Sequence, residues 1–193
     1  MSYSLESVYL VRNELIRLIM KAGTKKENKW FFTNGSFLPE EQIERIPNTW
    51  NNDNYVVVCD TKIVAYFEAT WNKVLNVVVS FRLILFNQTE SFNVTKAFFT
   101  YIDYLFDVRG CNAFNWIVAE KNEHAYKLYE KFIKKYFGHK VGKRHYGQMA
   151  YDGDISDVML YEITKEEYFH WKNKWNTTNN TTRPTVVQPA LQW

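Results

Sequence analysis

Two cysteines, four prolines and seven glycines are all that a chain of 193 residues contains of these types. Two cysteines are too few for a disulfide scaffold. Cys59 and Cys111, each in an apolar or mixed setting, are expected to be reduced thiols of a cytoplasmic protein. So little glycine and proline excludes collagen-like and low-complexity chains. No run approaches the roughly 18 apolar residues of a membrane-spanning helix, so no membrane partner is expected. The N-terminal stretch carries Glu6 and Glu14 and lacks the basic segment, apolar block and small-residue cleavage site of a secretion signal. Chemical motifs are sparse too. His124, His139, His145 and His170 lack metal-ligand spacing, and Asp152, Asp154 and Asp157 fit a turn better than a metal site, so no metal is expected. No Ser-His-Asp or Cys-His set stands out.

What is present is a core. Hydrophobic residues make up 46% and aromatic residues 18% of the chain, which argues against disorder and favours one domain, residues 1–175. Residues 176–193, Asn/Thr-rich and then proline-punctuated, are expected to form a tail, flexible or docked through Trp193. Charge is uneven. The whole chain carries a net +3. Residues 121–150 hold eight basic residues against Glu123 and Glu130, a local +6 that leaves −3 for the rest. Such a run suits an anionic ligand, a phosphorylated cofactor or a nucleic acid, or else a solvated lysine-rich helix face.

Periodicity sets out the elements. Leu5, Val8, Val11, Leu15, Leu18 and Ile19 recur at helical spacing before Gly23. Asn34-Gly35-Ser36 is a turn, and Pro39 opens a short helix to Ile46. Three strands follow over 55–59, 63–71 and 74–86, with spacers short enough for an antiparallel meander. Val94 to Val108 is helical, 114–119 a strand, and 122–137 a second amphipathic helix. Residues 141–151 and 158–163 are two closing strands about Asp152-Gly153-Asp154, and 165–175 is a last short helix. The strand–helix–strand segment predicts that 74–86 and 113–119 are parallel neighbours inside a mixed sheet, giving an α/β (α+β) fold with helices on both faces.

One segment is more specific. Asn122 stands just past a strand, Ala125 three residues on, and Leu128-Tyr129-Glu130-Lys131 follows. Gly142, Arg144 and Gly147 sit in a basic, polar strand, followed by Asp157-Val158-Met159. In these residues and in its element order the chain resembles the GCN5-related N-acetyltransferases, the GNAT superfamily, over roughly residues 1–165 and most clearly from 113 to 163. The resemblance implies two parallel strands that splay apart, with the pantetheine arm of acetyl-CoA in the gap. It assigns cofactor binding to Leu83, Leu85, Gln88, Ser91, Asn93, Val94, Asn122 and Lys127. Tyr129 becomes the general acid for the leaving thiolate, and Glu68 the base for the acceptor amine. Each has a plainer alternative: Asn122 as a helix N-cap, Tyr129 as core packing, Glu68 as an outward-facing strand residue.

The chain departs from the family pattern in the loop that would hold the pyrophosphate. There the family carries two glycines, and this chain has Gln88-Thr89-Glu90-Ser91-Phe92-Asn93. Asparagine tolerates left-handed backbone and serine can donate a hydrogen bond, but a Glu90 carboxylate about 5 Å from a phosphate would oppose it by about 3 kcal/mol. The resemblance therefore implies an acetyl-CoA-dependent N-acyltransferase acting on a primary amine. The alternative is a GNAT-fold protein that has lost catalysis and binds a protein or nucleic acid. A lysine to arginine count of 17 to 7 and much Asn, Tyr and Phe suit an AT-rich genome, that of a bacteriophage or low-GC bacterium. The sequence leaves the acceptor and the oligomeric state open.

Overall fold

The computed structural model describes residues 3–8, 11–25, 28–30, 52–150 and 152–179. The expected turn at 34–36, the helix at 39–46 and the chain from 180 onward lie outside them. One mixed sheet of seven strands organises the described chain: β1 (Tyr3–Ser7), β2 (Asn52–Cys59), β3 (Lys62–Asn72), β4 (Val77–Leu85), β5 (Ala113–Ala119), β6 (His139–Met149) and β7 (Ile155–Thr164). Their order across the sheet is β1-β2-β3-β4-β5-β7-β6. Every neighbouring pair is antiparallel except β4 and β5, which are parallel, as the strand–helix–strand pattern predicts.

Four described helices cover the sheet: α1 (Arg12–Gly23), α2 (Ser91–Asp103), α3 (Glu123–Lys135) and α4 (Lys165–Asn179). Alternation along β3 shows how the layers are built. Phe67, Ala69 and Trp71 turn to the α2 and α3 side, into an aromatic core with Phe81, Tyr101, Phe114, Trp116 and Tyr161. Tyr66 turns to the other face and joins Val56, Ile84 and the Leu15, Ile19 and Ala22 stripe of α1. Because both faces are covered, Ile63–Phe67 is buried without a break, as strands between two layers are. Helix α4 closes the aromatic side, with Tyr168 stacked on Phe106 at 4.6 Å and Trp171 tilted against Phe137 at 4.7 Å. Among the described residues no helix is long and apolar enough to cross a membrane.

Several boundaries differ from the sequence expectation. The helix expected from residue 5 starts at Arg12, and Tyr3–Ser7 is a strand instead. Leu5 and Val8 match helical spacing only because a strand and a helix follow each other closely. Pairing from Tyr3↔Cys59 to Ser7↔Tyr55 satisfies the outer edge of β2, and the Tyr3 hydroxyl meets Thr100 Oγ1 at 2.9 Å. The third expected strand begins at Val77 rather than Val74; Val74 and Leu75 sit in an exposed turn closed by Asn76 at φ +51°. Helix α2 gives way to one π-helical turn, Tyr104–Val108. Helix α4 runs to Asn179, past the expected start of the tail at 176.

The aromatic core carries one defect. Tyr101 is 1% exposed and ringed by Tyr55, Phe67 and Phe81, yet its hydroxyl has no hydrogen-bond partner. An unpaired buried hydroxyl is destabilising. Tyr101→Phe removes it and keeps the ring, so urea unfolding should show a gain of about 1 kcal/mol. An unchanged or lower stability would show that the hydroxyl is satisfied in solution.

Candidate active site

The parallel pair is brief. Val77↔Ala113 and Val78↔Phe114 are the only paired positions of β4 and β5. Past them β4 stays with β3 and β5 stays with β7, so the sheet forks. The cause lies in β4. Thr70 pairs with Ser80 and Trp71 with Val78, which leaves Val79 as an extra residue, a β-bulge one step beyond the last β4–β5 pair. A bulge bends its strand and sharpens the twist, and here it turns β4 away from β5.

Side-chain amides fasten the closed end. Asn112 donates its backbone N–H to the Asn76 carbonyl at 2.8 Å and its Nδ2 to the Leu75 carbonyl at 2.8 Å. Asn76 Nδ2 donates to the Gly110 carbonyl at 2.9 Å. At the apex Asn115 Nδ2 donates to the Val78 carbonyl at 3.1 Å, across the line where the ladder stops. Beyond it no ladder joins the arms, and their facing backbone N–H and C=O groups border the gap.

Two helices begin at the open end, because each follows one of two parallel strands. After β4 comes a 3-10 turn, Gln88–Glu90, capped by Asn87 Oδ1, which accepts from the Thr89 N–H at 3.1 Å. Helix α2 then starts at Ser91, whose N–H donates to the Gln88 carbonyl of the 3-10 turn, with no side-chain cap on its first turn; its dipole still favours an anion at this end. Ser91 and Gln88 are exposed, while the Val94 side chain is buried. Glu90 does not stand free: Asn93 Nδ2 donates to its Oε2 at 2.8 Å. It also borders buried Cys59, whose thiol is pushed up first by burial and then by the Glu90 charge. After β5, Asn122 caps α3 with its Oδ1, accepting from the Ala125 N–H at 3.4 Å. The N-cap role weighed from the sequence is present, in a long bond that a better donor could displace.

The remaining sequence candidates fall in three places. Leu83 and Leu85 lie on the fork's β4 arm, half-buried toward the aromatic core. Tyr129 lies on α3 with its ring 5.5 Å from Trp116 and 6.1 Å from Tyr161; burial pushes its phenol up to about 12. Glu68 lies on the opposite, α1 side of the sheet, in a polar row with Asn54 and Arg82 across β2, β3 and β4. Its Oε2 is 3.8 Å from the Arg82 guanidinium, so Arg82, not Glu68, is on the strand that borders the gap. Lys127 is exposed and pairs with Glu123 at 2.8 Å, one turn back. Sequence reasoning did not single out Val79, Asn115, Trp116 or Arg82. The one signal was the unbroken Val77-Val78-Val79, which cannot alternate between faces, with a charged Arg82 inside an apolar run.

Half of the basic run is paired. Lys121 pairs with Asp154, Lys140 with Glu130 at 2.7 Å, and Lys143 with Glu120 at 2.9 Å and Asp157 at 3.0 Å. Lys29 adds bonds to Asp152 at 3.1 Å and Asp154 at 2.9 Å. Asp154 and Asp157 lie just beyond residue 150, so a count over 121–150 overstates the local field. Lys121 and then Lys29 hold Asp154 at about 2. The Tyr146 N–H and then Lys143 hold Asp157 at about 2. A carboxylate depressed on folding adds stability at pH above its unfolded value and loses it as pH falls to the folded one. Asp154→Asn should therefore lower the urea midpoint at pH 6, and the two proteins should converge between about pH 4 and pH 2. A constant difference down to pH 2.5 would mean that Asp154 acts through packing alone. Among the described residues no three His, Cys, Asp or Glu side chains are arranged to hold a metal ion.

A mixed sheet whose one parallel pair forks, with helices starting at the mouth, is the fold of the GCN5-related N-acetyltransferases. The particular likenesses are distant. The spermidine N-acetyltransferase of Vibrio cholerae, solved in complex with CoA and spermine, shares the fold at a TM-score of 0.67 and 16% identity, over 86% of this chain and 98% of that one. A chimera of the Vibrio cholerae enzyme and hSSAT gives 0.68 at 16% identity, over 88% of this chain and 99% of that one. No family model matches the sequence, and no curated protein matches it.

Proposed function

We propose that this chain is an N-acyltransferase that passes an acetyl group from acetyl-CoA to a primary amine by direct attack. The observation that carries this reading is the fork: the β4–β5 ladder ends after two pairs, beside a bulge at Val79, and leaves the inner edges of both strands unpaired. The residues at the gap fit the donor. Free backbone groups of β4, from Leu83 to Leu85, are suited to pair with the amides of the pantetheine arm. The N-terminal end of α2, with Gln88, Ser91, Asn93 and Val94, offers the positive end of the helix dipole to the pyrophosphate. Glu90 is bonded to Asn93 at that same end, so its carboxylate has to swing away when the pyrophosphate binds. Asn122 faces the arm from the start of α3, with Lys127 one turn on as a cation for the phosphates.

Backbone N–H groups of β4 stabilise the oxyanion that forms when the amine attacks the thioester. Glu68, one strand from the gap and on the α1 face beside Arg82, takes the amine proton through water, which requires the acceptor to enter from that face. Tyr129 returns a proton to sulfur as the carbon–sulfur bond breaks, leaving an amide and free CoA. The bound spermine of the Vibrio cholerae structure supports an amine as acceptor. The test is calorimetry with acetyl-CoA. Micromolar affinity is expected; no heat at millimolar concentration would overturn the reading. The missing loop glycines would then favour a GNAT-fold protein that works by binding another macromolecule.

A further inference from the structure

Trp116 is 2% exposed, and its indole N–H is buried without a hydrogen-bond partner. Native interiors rarely leave such a donor unpaired, and an exception calls for an explanation. Trp116 lies on β5 two residues past Phe114, the last residue joined to β4, on the arm that borders the fork. Its ring is held in place. Tyr161 stacks on it at 5.3 Å and 12°. The Tyr161 hydroxyl donates to Glu130 Oε1 at 2.7 Å, and Lys140 holds Glu130 at 2.7 Å. The Tyr129 ring packs on it at 5.5 Å.

We propose that the Trp116 indole N–H is a second hydrogen-bond donor, beside the Tyr129 hydroxyl, to the sulfur of CoA in the fork. The proposal rests on the acyltransferase reading and deepens it. A phenol raised to about 12 by burial is a reluctant acid. A fixed N–H close by spreads the charge growing on sulfur until the proton arrives, with no reorganisation at the moment of reaction. The indole transfers no proton; it only holds the anion. The N–H is sealed from water in the ligand-free fold, so the Tyr129 ring has to shift when CoA binds, before the reaction begins, for sulfur to reach it.

The test compares CoA with desulfo-CoA, which lacks the sulfur, by calorimetry at pH 9, where the thiol begins to ionise and Tyr129 stays protonated. Trp116→Phe should weaken CoA about tenfold, as befits one hydrogen bond to a charged acceptor. It should leave desulfo-CoA unchanged and the melting temperature level or higher. Equal weakening of both ligands would overturn the proposal, because the indole would then touch the arm elsewhere. Unchanged affinity with a lower melting temperature would also overturn it, and would assign the N–H to the Phe132 ring, edge-on at 6.4 Å. Should the phenylalanine variant not fold, benzothienylalanine at 116 keeps the bicycle and lacks the N–H, with the same outcomes. A wild-type protein that binds neither ligand would instead defeat the acyltransferase reading itself.

Discussion

Tyr129→Phe should lower kcat about 10²- to 10⁴-fold, the usual span for losing a positioned general acid. The substitution keeps the ring that packs on Trp116 and Tyr161 and deletes only the hydroxyl. Acetyl-CoA affinity should shift little, since one neutral hydrogen bond contributes about 1 kcal/mol. The pH profile adds a second check. With its phenol pushed up to about 12 by burial, Tyr129 stays protonated through the working range, so it imposes no alkaline limb on kcat below about pH 11. Full turnover by the phenylalanine variant on a verified amine would make Tyr129 a packing residue and leave the thiolate to depart unaided.

Deleting Val79 should weaken CoA binding by about 100-fold or more and leave the chain folded. Without Val79, Val78 faces the aromatic core, Ser80 faces away and Phe81 faces the core again, an unbroken alternation against Trp71, Thr70 and Ala69. No side chain has to change face, which is why folding should survive. The bend is lost with the extra residue. Strand β4 can then continue beside β5 and fill its own gap. Losing a few backbone hydrogen bonds at about 1 kcal/mol each weakens CoA by about 100-fold or more. Amides of β4 and β5 beyond Val78 and Phe114 should exchange more slowly in the deletion variant. Wild-type affinity in that variant would show that something other than the bulge opens the fork.

Most of the sheet was legible in the sequence, because strands with two covered faces are long apolar runs and parallel neighbours demand a crossover. The strand–helix–strand unit from Val77 to Ala119 is the clearest case. Strand β1 was not legible: five residues at an edge carry too little alternation, and their need to pair with β2 is a long-range fact. The fork was legible only by resemblance, since a bulge is one residue out of step and shows itself only against its partner strand. The candidate site divides the same way. Asn122 and Tyr129 stand in a motif and fall on the helix it implies. Glu68 was chosen by its apolar neighbours, and nothing in its own strand shows that Arg82 lies across from it. The count over the basic run leaves out partners that a sequence window cannot see: Glu120 precedes it, and Asp154 and Asp157 are folded back on it by the hairpin of β6 and β7.

The interrupted ladder between β4 and β5 has a thermodynamic side. Strand β4 is paired with β3 on its outer side and β5 with β7, and beyond Val78 and Phe114 neither has a partner on its inner side. A molecule that lies in the gap serves as a missing strand, made of something other than protein. Folding and ligand concentration are then linked: a ligand that binds only the folded chain adds about 2.7 kcal/mol at one hundred times its dissociation constant. The melting temperature of this protein would thereby become a gauge of the free cofactor around it, rising as acetyl-CoA or CoA accumulates and falling as it is drawn down.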